Sequence, residues 1–260
     1  MDTHAGAGIA YNVHSSWWIT APVADCLFTD LWHAPLARFA AVARCAPFTP
    51  QAAFMTTNTI PVHSMTVGVL ALQGDFREHR EMLEAMGHHV REIRKVEQLR
   101  ELDALIIPGG ESTTIARLIL SNGFQQPLRD FCASGRPVWG TCAGAILLAK
   151  QVDCLDRPGI EMMDISVRRN AFGRQLVSFE ADLYVNGIEG PPFHAVFIRA
   201  PLFDEVRWPA EAVCSLEDGS IVAARQGNLF ATSFHPELTG DNRLHKLFLT
   251  MGRPQTDSPK

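Results

Sequence analysis

From Met65 onward, short apolar runs rich in β-branched residues alternate with stretches of helical spacing, and that alternation leaves the chain few architectures. Thr66 to Leu72 (TVGVLAL) and Ala104 to Ile107 (ALII) are apolar throughout, as strands buried on both faces of a sheet must be. Val90 to Arg94 and Pro137 to Trp139 supply two more strands. Between and after them, Phe76 to Met86, Ser112 to Leu120 and Ala143 to Lys150 carry apolar residues at helical intervals, the first stopped by Gly87. Strand–helix alternation predicts an α/β fold, an open and mostly parallel sheet flanked by helices on both faces. Residues 164–235 read differently. Six strand candidates, Asp164 to Arg168, Ser178 to Val185, Ala195 to Ile198, Val213 to Leu216, Ile221 to Gln226 and Leu229 to Ser233, are separated by turn signals such as Asn186-Gly187 and Asp218-Gly219. The second half is therefore expected to add β-rich strands, with Arg243 to Met251 closing as an amphipathic helix.

Composition changes at the same place. Residues 1–64 hold five charged side chains, no Lys and no Glu, three of the five tryptophans (Trp17, Trp18, Trp32), and no sustained period. They read as an N-terminal extension outside the main fold, or as an over-long start with Met65 the functional first residue. The expected organisation is an extension over 1–64, a catalytic domain over 65–252 and a tail over 253–260.

Charge and cysteine usage exclude several classes of function. A net charge of −5 leaves no basic excess for binding nucleic acid through phosphates. No run of about 18 apolar residues exists to span a membrane, and no basic segment leads into an apolar one as in a secretory signal. The six cysteines form no C-x-x-C pair, and His88, His89, His194 and His245 fit no metal-ligand spacing. The expectation is a cytoplasmic protein with free thiols and no metal or cofactor.

Three local patterns carry chemistry. Gly140-Thr141-Cys142-Ala143-Gly144 sits between an apolar strand and a helix, a nucleophile elbow with Cys where G-x-S-x-G has Ser. Its glycines leave room where strand and helix approach, the helix N-terminus favours a thiolate, and the Ala143 N–H points where an oxyanion would form. Taken alone, this is also the pattern of a buried structural Cys in a tight turn. Phe234-His235-Pro236-Glu237 follows a strand; on an extended chain residues two apart face the same way, so Glu237 is expected to orient the His235 ring. Pro108-Gly109-Gly110-Glu111-Ser112 follows the strand ALII. Its Gly110 N–H is a second oxyanion donor, or the segment is a plain turn capped by Ser112. His79 reads as a helix-surface residue. Cys132, Cys154 and Cys214 read as packing residues.

Taken together, GTCAG and HPE resemble the class I (triad) glutamine amidotransferases, with a flavodoxin-like sheet. VGVLALQGDFREH, PGGESTTI, RRNAFGRQ, SFEADL, VFIRAP and SFHPELT, in that order, narrow the resemblance to the glutaminase subunits of pyridoxal 5′-phosphate synthases. The resemblance implies that Cys142, His235 and Glu237 form a triad that hydrolyses L-glutamine to L-glutamate and ammonia. It implies an oxyanion hole at Gly110 and Ala143, and glutamine binding by Gly110, Glu111, Ser112, Arg169, Ile198 and Arg199. Asn170 either bonds substrate or caps a turn. It further implies a TIM-barrel synthase partner that receives the ammonia, in a 12+12 complex whose docking face includes the DFREHR stretch. A stand-alone γ-glutamyl hydrolase and a non-catalytic subunit are the competing readings. RRNAFGRQ and SFEADL weigh against the first, the intact triad against the second.

Overall fold

The computed structural model describes residues 64–169 and 178–251. The expected extension (apart from Ser64), the tail over 253–260 and the stretch Asn170 to Gln175 of RRNAFGRQ lie outside the described residues. Among those described, the first half alternates as expected: β1 (Thr66–Leu70), α1 (Phe76–Ala85), β2 (His89–Ile93), β3 (Ala104–Ile107), α2 (Ser112–Ser121), α3 (Gln125–Ala133), β4 (Val138–Thr141) and α4 (Ala143–Leu148). The second half contributes β5 (Ala149–Val152), β6 (Met163–Arg168), β7 (Ser178–Leu183), β8 (Phe193–Ile198), β9 (Leu202–Val206), β10 (Glu211–Ser215), β11 (Ile221–Gln226) and β12 (Leu229–Thr232), closed by α5 (Arg243–Thr250).

The main sheet runs β2-β1-β3-β4-β12-β11-β9-β6-β5, with β10 alongside β11. Its first five strands pair in parallel, and from β12 to β6 the pairing is antiparallel. β7 and β8 form a separate antiparallel ribbon. The reason is visible in β3. Ala104 and Ile106 enter one core and Leu105 and Ile107 the other, all fully buried. A strand apolar on both faces is stable only with cover on both sides. Ile115, Ile119, Leu128, Phe131 and Ile146, from α2, α3 and α4, fill the first face beside Leu105 and Ile107. Leu83 of α1, Leu244 and Phe248 of α5, and Phe193 and Phe197 of the ribbon fill the other around Trp139.

Three elements depart from expectation. α3 was unrecognised in sequence because of Pro127, which here occupies the first helical turn, where a missing N–H costs little. The helix expected to reach Lys150 stops at Leu148, because Ala149 to Val152 pair in parallel with β6. β9 went unread because its partly exposed residues give only a weak alternation; pairing with β6 and β11 holds it. Cys132 and Cys214 are buried, as packing residues are, whereas Cys154 is exposed. No helix among the described residues is long and apolar enough to cross a membrane.

Phe248 fastens α5 to the sheet, its ring 5.5 Å from that of Trp139. Phe248→Ala is expected to lower unfolding stability by about 3–5 kcal/mol. Tyr184→Ser, at a side chain 79% exposed, should stay within about 0.5 kcal/mol of wild type in the same urea titration.

Candidate active site

The carboxyl ends of β3, β4 and β12 lie side by side, and each delivers one part of the site. Cys142 follows β4 at φ +47° and ψ −103°, a backbone conformation rarely adopted by residues with a Cβ. What holds it there is local. The Cys142 N–H donates to Thr232 O of β12 at 2.8 Å, and the Ile146 N–H closes the first helical turn onto Cys142 O at 3.3 Å. A Cβ on Gly144 would lie 1.9 Å from Ile107 O, and one on Gly140 would lie 2.5 Å from the Gly144 backbone. The two glycines of the elbow therefore answer to close approach between strand and helix. Ala143, first residue of α4, has its N–H beyond the reach of any intrahelical acceptor, as the first N–H groups of a helix always are.

His235 is fixed by its own N–H, which donates to Val196 O of β8 at 2.8 Å. Its Nδ1 lies 2.7 Å from Glu237 Oε1. The geometry that achieves this is not the extended chain expected from sequence. Strand β12 stops at Thr232, and Pro236 to Leu238 form a single 3-10 turn. That turn folds Glu237 back onto the ring, and the pair meets by a tight turn rather than by alternation. Cys142 and the ring line the same cavity, close enough for the sulfur to act on the charge of the imidazole. Burial by itself lowers the basicity of the ring. Hydrogen bonds and charge attraction from Cys142 and Glu237 outweigh it and push His235 up to about 10. Burial raises Glu237 above the usual carboxylate range, partly offset by its hydrogen bond to His235.

Before this group lies a cavity of about 420 Å³. Cys142, His235, Ala143, Gly110, Glu111, Ser112, Arg169, Ile198 and Arg199 line it, so every residue expected to hold substrate faces the same space as the thiol. The Cys142 thiol also points at Ile198 O, 3.8 Å away. Gly110 takes φ +148°, open to glycine and rare for other residues, and a Cβ there would press on Gln73 Oε1 at 2.8 Å. Glu111, not Ser112, caps α2; its carboxylate accepts from the N–H groups of Thr113 and Thr114 at 3.0 and 2.6 Å. Desolvation is the largest single effect and acts against it, but the Thr114 hydroxyl, at 2.7 Å, and these N–H groups together hold the carboxyl down at about 2. Arg169 donates to Cys154 O at 2.9 Å and stands 3.4 Å from Glu111 Oε1. Arg199 sits at φ +46° on the cavity wall.

Sequence reading missed Asp75, whose carboxylate lies 3.5 Å from His235 Nδ1 and lines the cavity. Its signal was its place directly after Gly74, in the loop that follows β1. Asp75, His235 and Glu237 bring one ligand atom each within 4.8 Å of one another. A metal ion would need a bare Nδ1, and this nitrogen already meets Glu237 Oε1 at 2.7 Å, a hydrogen-bond distance. The donor set fits a held proton better than a cation. His79, expected on the helix surface, is instead fully buried. The spacing Phe76, His79, Leu83 places it on the inner stripe of α1.

The His235 imidazolium is expected to persist to about pH 10 in an NMR titration of the ring nitrogens. Cys142 contributes to raising that value, so Cys142→Ala should move the midpoint to lower pH. An unmoved midpoint would mean that Glu237 alone holds the charge.

Comparison with known proteins places this geometry in a group. Residues 69–253 match the SNO glutamine amidotransferase family. The pyridoxal 5′-phosphate synthase subunit PdxT of Dehalococcoides mccartyi is 54% identical over 191 residues, covering 73% of this chain and 98% of that protein. The protein of the same designation from Herpetosiphon aurantiacus is 55% identical over 188 residues, 71% of this chain and 99% of its own. Among solved structures, a crystal structure of a glutamine amidotransferase superposes with a TM-score of 0.68 at 49% identity, covering 72% of this chain and 98% of that one.

Proposed function

This chain belongs to the SNO glutamine amidotransferase family, and from that premise we propose how its residues do the work. The reaction is hydrolysis of the side-chain amide of L-glutamine to L-glutamate and ammonia, by the glutaminase subunit of a pyridoxal 5′-phosphate synthase. The catalytic unit runs over 65–252, with 1–64 and 253–260 as appendages. Cys142, His235 and Glu237 are its triad, and the observation that carries this assignment is a thiol and an imidazole lining one cavity, the ring backed by Glu237 at 2.7 Å and its basicity raised by both neighbours.

The steps follow from the charges. The Cys142 sulfur attacks the amide carbon, and the proton it has given up rests on His235. The carbonyl oxygen gains negative charge, which the N–H groups of Ala143 and Gly110 receive in a site with little water. His235 then donates its proton to the leaving nitrogen, ammonia departs, and a γ-glutamyl thioester remains on sulfur. A water molecule, deprotonated by His235, attacks the thioester carbon and releases glutamate. Glu237 holds the ring oriented throughout and balances its charge when protonated.

Glutamine offers a carboxylate and an ammonium at its far end, and the cavity wall is built for that pair. Arg169 and Arg199 supply guanidinium donors for the carboxylate, while Glu111, kept ionised, faces the ammonium. Gly110, Ser112 and the backbone at Ile198 complete the cradle. Ammonia released into water is protonated and lost as a nucleophile, so the product has value only if handed on. The receiver is a TIM-barrel synthase subunit in a 12+12 assembly. Free thiols at Cys132, Cys142, Cys154 and Cys214 support residence in the cytoplasm, and the steps above call on no metal or cofactor.

Glutamate release from glutamine, measured on the full chain with and without its synthase partner, tests this assignment. Cys142→Ala is expected to lose at least about 1,000-fold in kcat. Arg169→Ala and Arg199→Ala should act mainly on KM, raising it roughly 10- to 100-fold, as loss of a charge-assisted hydrogen bond does. Full activity in Cys142→Ala would overturn the nucleophile. Turnover of γ-glutamyl peptides with no gain from the partner would favour a free-standing hydrolase.

A further inference from the structure

Behind the triad the buried face of the sheet holds two histidines that the reaction above leaves unused. His79 on α1 and His245 on α5 are both fully buried. His79 Nε2 stands 3.3 Å from Glu237 Oε2 and 3.3 Å from Thr141 Oγ1. On its other edge, His79 Nδ1 lies 3.0 Å from His245 Nε2. The Trp139 ring walls the pair, 5.9 Å from His79 and 4.9 Å from His245. Glu237 Oε2 is itself buried and has no aligned hydrogen-bond partner. A carboxylate oxygen shut away from water in that state needs a donor, and the nearby group able to become one is the His79 N–H.

Taking His235 and Glu237 as an ion pair sets the direction of the other protons in this line. In that pair Glu237 Oε1 accepts from the protonated ring, and the ionised Oε2 can only accept, with burial working against its charge. Oε2 gains a donor if His79 Nε2, which also lies beside Thr141 Oγ1, carries hydrogen, and this leaves Nδ1 of a neutral ring as an acceptor. Nε2 of His245 must carry hydrogen to meet it, which leaves His245 Nδ1 as a bare lone pair. That nitrogen is indeed buried without a partner, and an idle acceptor is the form of the ring that such a pocket tolerates. Neutrality of both rings agrees with their surroundings. Burial, then the neighbouring His245 and His235, holds His79 well below its ordinary value; burial takes His245 down to about 3.

Resting on the triad assigned above, we infer that His79 is a positioning residue for Glu237. As the neutral Nε2–H form, oriented by His245, it serves as a second imidazole donor to the carboxylate that orients His235. The role matters most at one moment in turnover. When His235 gives its proton to the leaving nitrogen, Glu237 loses the charged half of its partner while still buried. A fixed donor on Oε2 keeps the carboxylate ionised and in place, ready to reorient the ring for the attacking water. A structural histidine would stabilise the fold without altering kcat relative to KM.

Two measurements on the full chain decide the matter. Long-range ¹H–¹⁵N NMR of the histidine-labelled wild type reads the tautomers directly. His79 and His245 are expected as neutral Nε2–H rings beside a doubly protonated His235, and a His79 carrying its proton on Nδ1 would overturn the inference. Steady-state glutaminase kinetics in complex with the synthase give the second. His79→Leu should lower kcat by roughly 10- to 100-fold with KM nearly unchanged, the kinetic equivalent of leaving one buried acceptor without its donor. His79→Gln, which returns an amide N–H close to the Nε2 position, should recover most of the loss. Wild-type kcat in a folded His79→Leu protein, or no recovery in His79→Gln, would equally reject it. Should the Leu variant fail to fold, the Gln variant and the tautomers still decide. A wild type that releases no glutamate would count against the glutaminase assignment instead, and the tautomer result would remain readable.

Discussion

The parallel pairing of β12 with β4 is the contact on which the site depends. Leu229 stands opposite Val138 and the register runs unbroken to Thr232 opposite Thr141. Those strands come from distant parts of the sequence, yet the ladder sets their carboxyl ends level. The residue after β4 is Cys142, and its N–H is bonded across to Thr232 O. Three residues past Thr232 comes His235. Slip this register by one residue and the ring and the sulfur part, because each residue along a strand advances by about 3.3 Å. All four residues of each strand are buried, so the register is held by two packed faces as well as by hydrogen bonds.

The fold thus solves an electrostatic problem before any ligand arrives. A cysteine sulfur, an imidazole and a carboxylate are collected at the rim of a cavity, with a second buried imidazole beneath. In an open sheet of this kind, space for ligand lies beyond the carboxyl ends of the strands. Here the loop after β3 brings Gly110 and the loop after β1 brings Asp75 to that same rim. The helices α1 and α5, which only seal the sheet from the outside, also supply His79 and His245. Cover and chemistry therefore share the same side chains on this face.

How much of this was legible in the residues varies with the kind of signal. The parallel half announced itself because buried strands such as ALII are apolar on both faces; β3 was read to the residue and its neighbours to within one or two. The elbow was legible because a cysteine between two closely spaced glycines at a strand–helix junction has a steric cause, now visible in the 1.9 Å that a Gly144 Cβ would leave to Ile107 O. The pairing of His235 with Glu237 was expected, but by an extended-chain argument, and a 3-10 turn brings it about. What misled was residue type set against position. His79 looks like a surface residue by its polarity, yet it sits on the same stripe as Phe76 and Leu83, and position decides. β5 and α3 needed information no local window holds, namely a strand partner in β6 and a proline absorbed by a first turn.

The central claim is that one sulfur becomes covalently bonded to the γ-carbonyl of substrate. Rapid acid quench of the full chain and its synthase partner during turnover of glutamine, followed by peptide mass analysis, tests it directly. A γ-glutamyl adduct is expected on the peptide bearing Cys142 and on no other cysteine. Glutamate formation with that peptide never modified, or with the adduct on Cys132, Cys154 or Cys214, would contradict it.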